Sequence, residues 1–205
     1  MSILVDAAVV VGGIALGRWI IRSVRARRAP RGAGAGAPPV LKGEAEGALF
    51  AAFPCKVGDV VMRSAERDEL WLAGALVFRE EGPVAALFAA PEAGGDRALF
   101  VRAVPGAGVV WLSPLPAAVV RSTGDPPHAV EVDGVRYERA RRLPVSVSRV
   151  GSGAPAAGDR AIVAEYTGPA NARLLVVAGS DSTLAWRGVA LADGEYDVLP
   201  GATEP

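Results

Sequence analysis

Residues 69–91 read ELWLAGALVFREEGPVAALFAAP. Two apolar runs rich in strand-forming residues meet at the turn Glu81-Gly82-Pro83, which is typical of a β-hairpin. The arrangement recurs in DRALFVRAV and VVWLSPL, which are separated by PGAG. From this region onward, the chain predicts consecutive antiparallel strands.

A tighter turn joins HAVEV to VRYERA through Asp133-Gly134, since both positions tolerate the positive φ of a type I′ hairpin. Leu143, Val145 and Val147 then alternate with polar residues, which places apolar side chains on one face of a strand. Further strands are predicted at RAIVAEYT, RLLVVAG, TLAWRGVAL and EYDVLPG. Short strands at this spacing favour a mainly β fold, either an antiparallel sandwich or a barrel.

A faint internal repeat links GGDRALFV at 94–101 with AGDRAIVA at 157–164, and VGDVVM at 57–62 is similar. It is consistent with two related β halves that meet in the Pro-rich segment 123–127. The simpler interpretation is that Gly-Asp is a favoured turn before a strand.

Hydrophobic residues make up 51% of the 205 residues, enough to build a core. We expect Trp71, Trp111 and Trp186, each in an apolar run, to belong to that core. An exposed tryptophan would instead indicate a groove for a partner.

The N-terminal residues have the pattern of a membrane-spanning helix. Residues 3–21, ILVDAAVVVGGIALGRWII, predict one transmembrane helix, because about 20 residues span the roughly 30 Å hydrocarbon layer. Asp6 and Arg18 would then lie near the headgroups, with Trp19 at the interface. The alternatives are a helix lying on or in the folded domain and a cleaved signal. A signal peptide carries positive charge before its apolar run, and this chain does not.

All of the arginines near the N-terminus follow the uninterrupted apolar part of this stretch, residues 7–17. The positive-inside rule then predicts a single-pass protein of the bacterial inner (plasma) membrane, with the N-terminus outside and the C-terminal domain in the cytoplasm. The single cysteine suits a reducing compartment. The alternative orientation would place the C-terminal domain outside the cell.

Two sets of residues are candidate contact sites. Gly13 and Gly17 have the small-xxx-small spacing that allows two membrane helices to pack as a homodimer. A lipid-surface patch, attracted to anionic headgroups, is predicted at Arg22, Arg25, Arg27, Arg28, Arg136 and Arg139. For the last two, a charged strand edge that discourages pairing is the alternative.

Residues 31–45 are dominated by Gly, Ala and Pro and predict a flexible linker. The predicted organisation is a membrane anchor with a basic stop (1–28), a linker (29–46), a β-rich domain (47–200) and a short tail (201–205).

Charge limits the choice of partner. The chain holds 22 basic and 22 acidic residues, but six of the basic residues and only Asp6 of the acids precede position 32. The remainder carries 16 basic and 21 acidic residues, a net charge of −5. A domain with this net charge is expected to bind nucleic acid poorly, because such binding depends on neutralising phosphates.

Catalytic chemistry has few candidates. His128 is the only histidine and follows two prolines, Cys55 is the only cysteine, and no G-x-S-x-G sequence is present. We therefore predict no catalytic residue, metal site or cofactor. A cleft used for acid–base chemistry would draw on Glu80, Glu81, Asp159, Glu165 or Asp193.

The sequences KVGDVV, ELWLAGALVFREEG and WLSP, followed by VSRVGSGAPAAGDRAIVAEY and WRG, resemble an uncharacterised bacterial β-rich domain family, a domain of unknown function. The resemblance covers roughly residues 56–191. It implies a β-rich fold in membrane-associated or multi-domain bacterial proteins, and it implies no activity.

The sequence thus favours a membrane-anchored protein whose cytoplasmic β-rich module binds a protein partner or acts as a scaffold. The alternative is a small-molecule sensor or an enzyme with a carboxylate-lined cleft.

Overall fold

The structure is a computed structural model that describes residues 40–41, 44–66, 68–92, 96–117, 119–120 and 124–201. The predicted transmembrane helix lies outside these ranges, as do Gly13, Gly17, Arg22, Arg25, Arg27 and Arg28. Within the ranges, no helix has the length and apolar character needed to cross a membrane. The described elements begin at Val40, inside the stretch 29–46 that the sequence predicts as linker.

Most described residues lie in strands, which confirms the predicted mainly β fold. Helix α1 spans Glu44–Phe50. The strands are β1 (Val40–Leu41), β2 (Val60–Arg63), β3 (Asp68–Trp71), β4 (Gly74–Arg79), β5 (Pro83–Ala90), β6 (Arg97–Arg102), β7 (Val109–Pro114), β8 (Ala129–Val132), β9 (Val135–Val150), β10 (Arg160–Thr167), β11 (Ala172–Ala178), β12 (Thr183–Leu191) and β13 (Tyr196–Leu199).

Eight of these strands close into an antiparallel barrel, one of the two predicted architectures. Strands β4 to β7 form one sequential meander and strands β9 to β12 form a second. The last strands of the two meanders pair with each other, β7 with β12, and the first strands, β4 and β9, close the ring. Closure leaves the barrel without a free edge.

Alternating side chains fill the barrel interior, and all eight strands contribute. The alternation predicted for β9 is confirmed, because Val145 and Val147 are buried inside while Ser146 is exposed outside. The interior residues of the other strands include Leu76, Phe78, Leu87, Phe100, Leu112, Val163, Leu175, Val177 and Trp186. An eight-stranded barrel is just wide enough for its own side chains.

An accessory sheet in the order β13-β2-β3 covers the outside of the first meander. Its Val61 and Leu70 are fully buried in one cluster with Phe88 of β5. Helix α1 adds Phe50, whose ring centroid lies 5.4 Å from that of Phe88. The barrel thus has a second apolar layer on this side.

The hairpin of β8 and β9 covers the second meander. Its turn residues Asp133 and Gly134 have φ of 50° and 75°, which confirms the predicted type I′ turn. Tyr137 of this hairpin is buried in a cluster with Tyr166 and Leu174 on the outer barrel wall.

The internal repeat does not follow the two meanders. Its three Gly-Asp pairs immediately precede β2, β6 and β10. Strand β6 is the third strand of its meander and β10 is the second, so the two are not equivalent. What the three pairs share is their position in the chain, directly before a strand.

Candidate binding surfaces

Of the three tryptophans expected in the core, Trp111 and Trp186 are buried as predicted. For Trp71 the expectation is wrong, because its side chain is 57% exposed. Leu70 and Leu72 on either side are fully buried, and strand alternation therefore turns Trp71 away from the barrel. The sequence did carry a signal: Glu69 and Trp71 share one face of β3, and a charged neighbour on the same face indicates solvent.

Trp71 is one end of an apolar row across the accessory sheet. The strand register places Leu199 opposite Val60, and Val60 opposite Trp71. Leu199 is 49% exposed. We call Leu199, Val60 and Trp71 the apolar stripe. Large contiguous apolar patches on a protein surface are typical of sites of protein or membrane contact.

The next row on the same face is acidic. Asp197 lies opposite Met62, which in turn lies opposite Glu69. Both carboxylates are exposed. The accessory sheet therefore presents an apolar centre with negative charge along one side.

The two described arginines of the predicted lipid patch have different environments. Arg136 is 71% exposed and lies 3.4 Å from Glu138, measured from Nε to Oε1. Arg139 is only 10% exposed, and its Nη1 donates a hydrogen bond to the carbonyl oxygen of Pro126. Arg139 therefore does not join Arg136 on the surface.

Arg139 belongs to a polar network that fixes the segment 125–128, which we call the joining segment because it lies between the two meanders. Arg142 Nε donates to Asp125 Oδ1 at 2.6 Å, and the Tyr166 hydroxyl donates to the Pro127 carbonyl oxygen at 2.8 Å. The hydrogen bond from Arg142, helped by its charge and by those of Arg139 and His128, lowers the pKa of Asp125.

Three carboxylates of the alternative hypothesis share one pocket. Glu80, Glu81 and Asp159 line an open pocket of about 1180 Å³ together with Arg79 and Arg160. Both signs of charge are present, and most of these charged residues are exposed. Water and salt screen such exposed groups, which weakens the field that each charge exerts in the pocket.

The other two candidate acids lie elsewhere. Glu165 is 17% exposed, and its Oε2 lies 3.7 Å from Arg102 Nε. Burial raises the pKa of Glu165, and the charges of Arg102, Arg141 and Arg173 oppose that rise. Asp193 accepts a hydrogen bond from the Tyr196 hydroxyl at 3.3 Å.

The histidine and the cysteine belong to different parts of the fold. His128 Nδ1 lies 3.1 Å from Arg139 Nη2 in the joining segment. Cys55 is buried in the cluster beneath the accessory sheet, which also includes Leu49 and Phe50 of α1. Burial, followed by the nearby charge of Asp59, raises the pKa of Cys55 to about 12, so the thiol is a poor nucleophile at neutral pH.

Among the residues that the structure describes, no group of three or more His, Cys, Asp or Glu side chains could hold a metal ion.

No protein-family model, curated protein or solved structure matches the chain. A functional hypothesis therefore depends on the surfaces themselves.

Proposed function

We propose that this chain is a membrane-anchored binding module. Its N-terminal helix holds the barrel at the cytoplasmic face of a bacterial membrane, and the accessory sheet binds a protein partner. The apolar stripe is the observation that supports a binding role most directly. Trp71 and Leu199 are large, exposed and lined up across one small sheet.

The charges beside the stripe favour one type of partner. Asp197 and Glu69 border the apolar row on the same face, and residues 32–205 carry a net charge of −5. A second copy of the domain, or an anionic bilayer, would bring like charges together, which costs binding energy. We therefore expect a protein segment with an apolar centre flanked by Lys or Arg.

The anchor rests on the sequence of the first 28 residues. Their apolar run and the arginines that follow it are typical of a single-pass helix with a cytoplasmic C-terminal side. A linker after the anchor would keep the binding surface close to the membrane, where partners are also concentrated.

The partner surface is tested by photocrosslinking in cells that make the full chain. A photoreactive phenylalanine analogue replaces Trp71, and the matched control carries it at Arg136, an exposed site on the β8–β9 hairpin. We expect an adduct from position 71 only. Mass spectrometry should identify an apolar segment flanked by basic residues.

Charge reversal tests the proposed complementarity. Glu69→Lys and Asp197→Lys should each reduce the adduct severalfold, whereas Glu131→Lys on β8 should leave it unchanged. Adducts to lipid, to a second copy or to residues 1–39 of the same chain would contradict the proposed partner. An adduct whose yield is unchanged in both charge-reversal variants would also contradict the proposed partner.

The anchor has a separate test. C-terminal reporters, one active only in the cytoplasm and one only outside, are combined with membrane fractionation of the cells. We expect cytoplasmic activity in the membrane fraction. A soluble product would remove the anchor from the proposal, and an external signal would reverse its orientation.

A further inference from the structure

A second candidate site lies at one end of the barrel, on different residues from the apolar stripe. Along a strand, every second side chain points into the barrel. At this end of the barrel, four such inward-pointing positions are occupied by charged residues. Arg102 follows Phe100 by two residues on β6, and Glu165 follows Val163 by two on β10. In the same way, Arg141 precedes Leu143 on β9 and Arg173 precedes Leu175 on β11. We call Arg102, Arg141 and Arg173 the arginine cluster.

The strand register brings the cluster around Glu165. Arg141 is the residue directly opposite Glu165 on β9. On β11 the opposite residue is Leu175, so Arg173 is a diagonal neighbour. Arg102 reaches Glu165 from the first meander, with its Nε 3.7 Å from Oε2. All three guanidinium groups act electrostatically on this carboxylate.

The cluster carries more positive charge than its carboxylate can balance. In the described part of the chain, Glu165 is the one acid that forms an ion pair with any of the three arginines. Among the described residues, the hydrogen-bond acceptor of Arg173 Nη1 is the carbonyl oxygen of Ala172, at 2.9 Å. Three guanidinium charges against one carboxylate leave a surplus of two positive charges at a barrel end that solvent reaches through Arg102, which is 42% exposed.

We propose that this end of the barrel binds a phosphate dianion, either free or as the phosphate monoester of a small molecule or a lipid headgroup. The surplus of two charges matches a phosphate group, whose second pKa of about 6 leaves it mostly dianionic at neutral pH. Guanidinium groups also fit phosphate oxygens with paired hydrogen bonds. A monocarboxylate would leave one of the surplus charges unbalanced.

The first experiment titrates the full chain, purified in a neutral detergent, with inorganic phosphate in a calorimeter at constant ionic strength. Arg141→Gln and Arg102→Gln should each weaken phosphate binding about tenfold, the usual size of one lost charge-assisted hydrogen bond. Arg187→Gln, at an exposed site on β12 where the guanidinium pairs with Asp133, should not change it. Thermal melts establish that each variant is folded.

Glu165→Gln separates a ligand site from a purely structural ion cluster. If the arginines bind phosphate, loss of the competing carboxylate should tighten binding severalfold. If they serve only to neutralise Glu165, the wild-type chain will not bind phosphate and Glu165→Gln will create no binding, which overturns the proposal.

The source of the phosphate is tested by competition, with the same detergent-solubilised proteins. Mixed micelles that contain phosphatidic acid, which presents a phosphate monoester, are compared with phosphatidylcholine micelles as competitors of inorganic phosphate. Binding of inorganic phosphate that phosphatidic acid does not displace assigns the site to a soluble ligand. Displacement that depends on the arginine cluster assigns it to lipid, and failure of both lipid and inorganic phosphate to bind contradicts the proposal. Neither result depends on the crosslinking of Trp71.

Discussion

Arg139 and Arg141 are two residues apart on β9 but point to opposite faces of the barrel wall. Arg139 lies opposite Tyr166 and Arg141 lies opposite Glu165, which are consecutive residues of β10. The intervening Ala140 is the extra residue of a β-bulge, and a bulge exchanges the two faces of a strand. One arginine therefore holds the joining segment while the other faces the barrel end.

This difference predicts unequal costs for the same substitution. Arg139→Gln should lower the free energy of unfolding by about 1–3 kcal/mol, because its buried guanidinium donates to the Pro126 carbonyl oxygen. Arg141→Gln should cost less than about 1 kcal/mol, since Arg141 donates no comparable hydrogen bond to any residue that the structure describes. Urea unfolding of both variants provides the comparison, and equal losses would contradict the assignment of faces.

Gly188 is required where the two meanders meet. A Cβ atom at this position would lie 1.7 Å from the backbone oxygen of Trp111 on the adjacent strand β7. Gly188→Ala should therefore separate β12 from β7 and lower stability by about 3 kcal/mol or more. Gly82→Ala is the control, because a Cβ there meets no atom within 4 Å. Thermal unfolding of the two variants should differ sharply.

Asp125 should make the free energy of unfolding depend on pH in the acid range. Its pKa is lowered by the hydrogen bond from Arg142, so the ionised form stabilises the fold above the ordinary carboxyl pKa of about 3.9. That contribution is lost as the pH falls through the lowered pKa.

The matching experiment compares Asp125→Asn with the wild type by urea unfolding at about pH 6 and about pH 2. The variant should be the less stable protein at the higher pH, and the difference should shrink at the lower pH. Glu131→Gln controls for the removal of an acid from a neighbouring strand. A difference that stays constant with pH would refute a role for the ionised Asp125.

Cys55 should be unreactive in the folded protein. Burial raises its pKa to about 12, which lowers the thiolate fraction at pH 8 roughly a thousandfold relative to a free cysteine. An aromatic disulfide reagent should modify the thiol rapidly in denaturant and very slowly without it. Because the chain has a single cysteine, the released chromophore reports this site alone.

Local signals in the sequence predicted the local structure well. The Asp133-Gly134 turn and the alternation through Val145 and Val147 depend on neighbouring residues, and both have the expected geometry. The choice between sandwich and barrel depends on β4 pairing with β9, which joins distant parts of the chain and leaves no local pattern.

The candidate sites were harder to predict for the same reason. Trp71 is apolar and lies in an apolar run, and only the accessory sheet's position determines which face of β3 is covered. The arginine cluster draws its members from three strands in both meanders. The bulge at Ala140 then decides that Arg141, and not Arg139, belongs to it.

The order of the meanders has a consequence for synthesis on the ribosome. Strands β4 to β7 emerge first. Within this group, the outer strands β4 and β7 each lack one neighbour, because β9 and β12 are translated later. Until then the nascent half-barrel has two unpaired apolar edges, a state that favours aggregation and intermolecular pairing. Barrel closure therefore waits for the last strands, and a chaperone bound during translation would find its substrate in this first half.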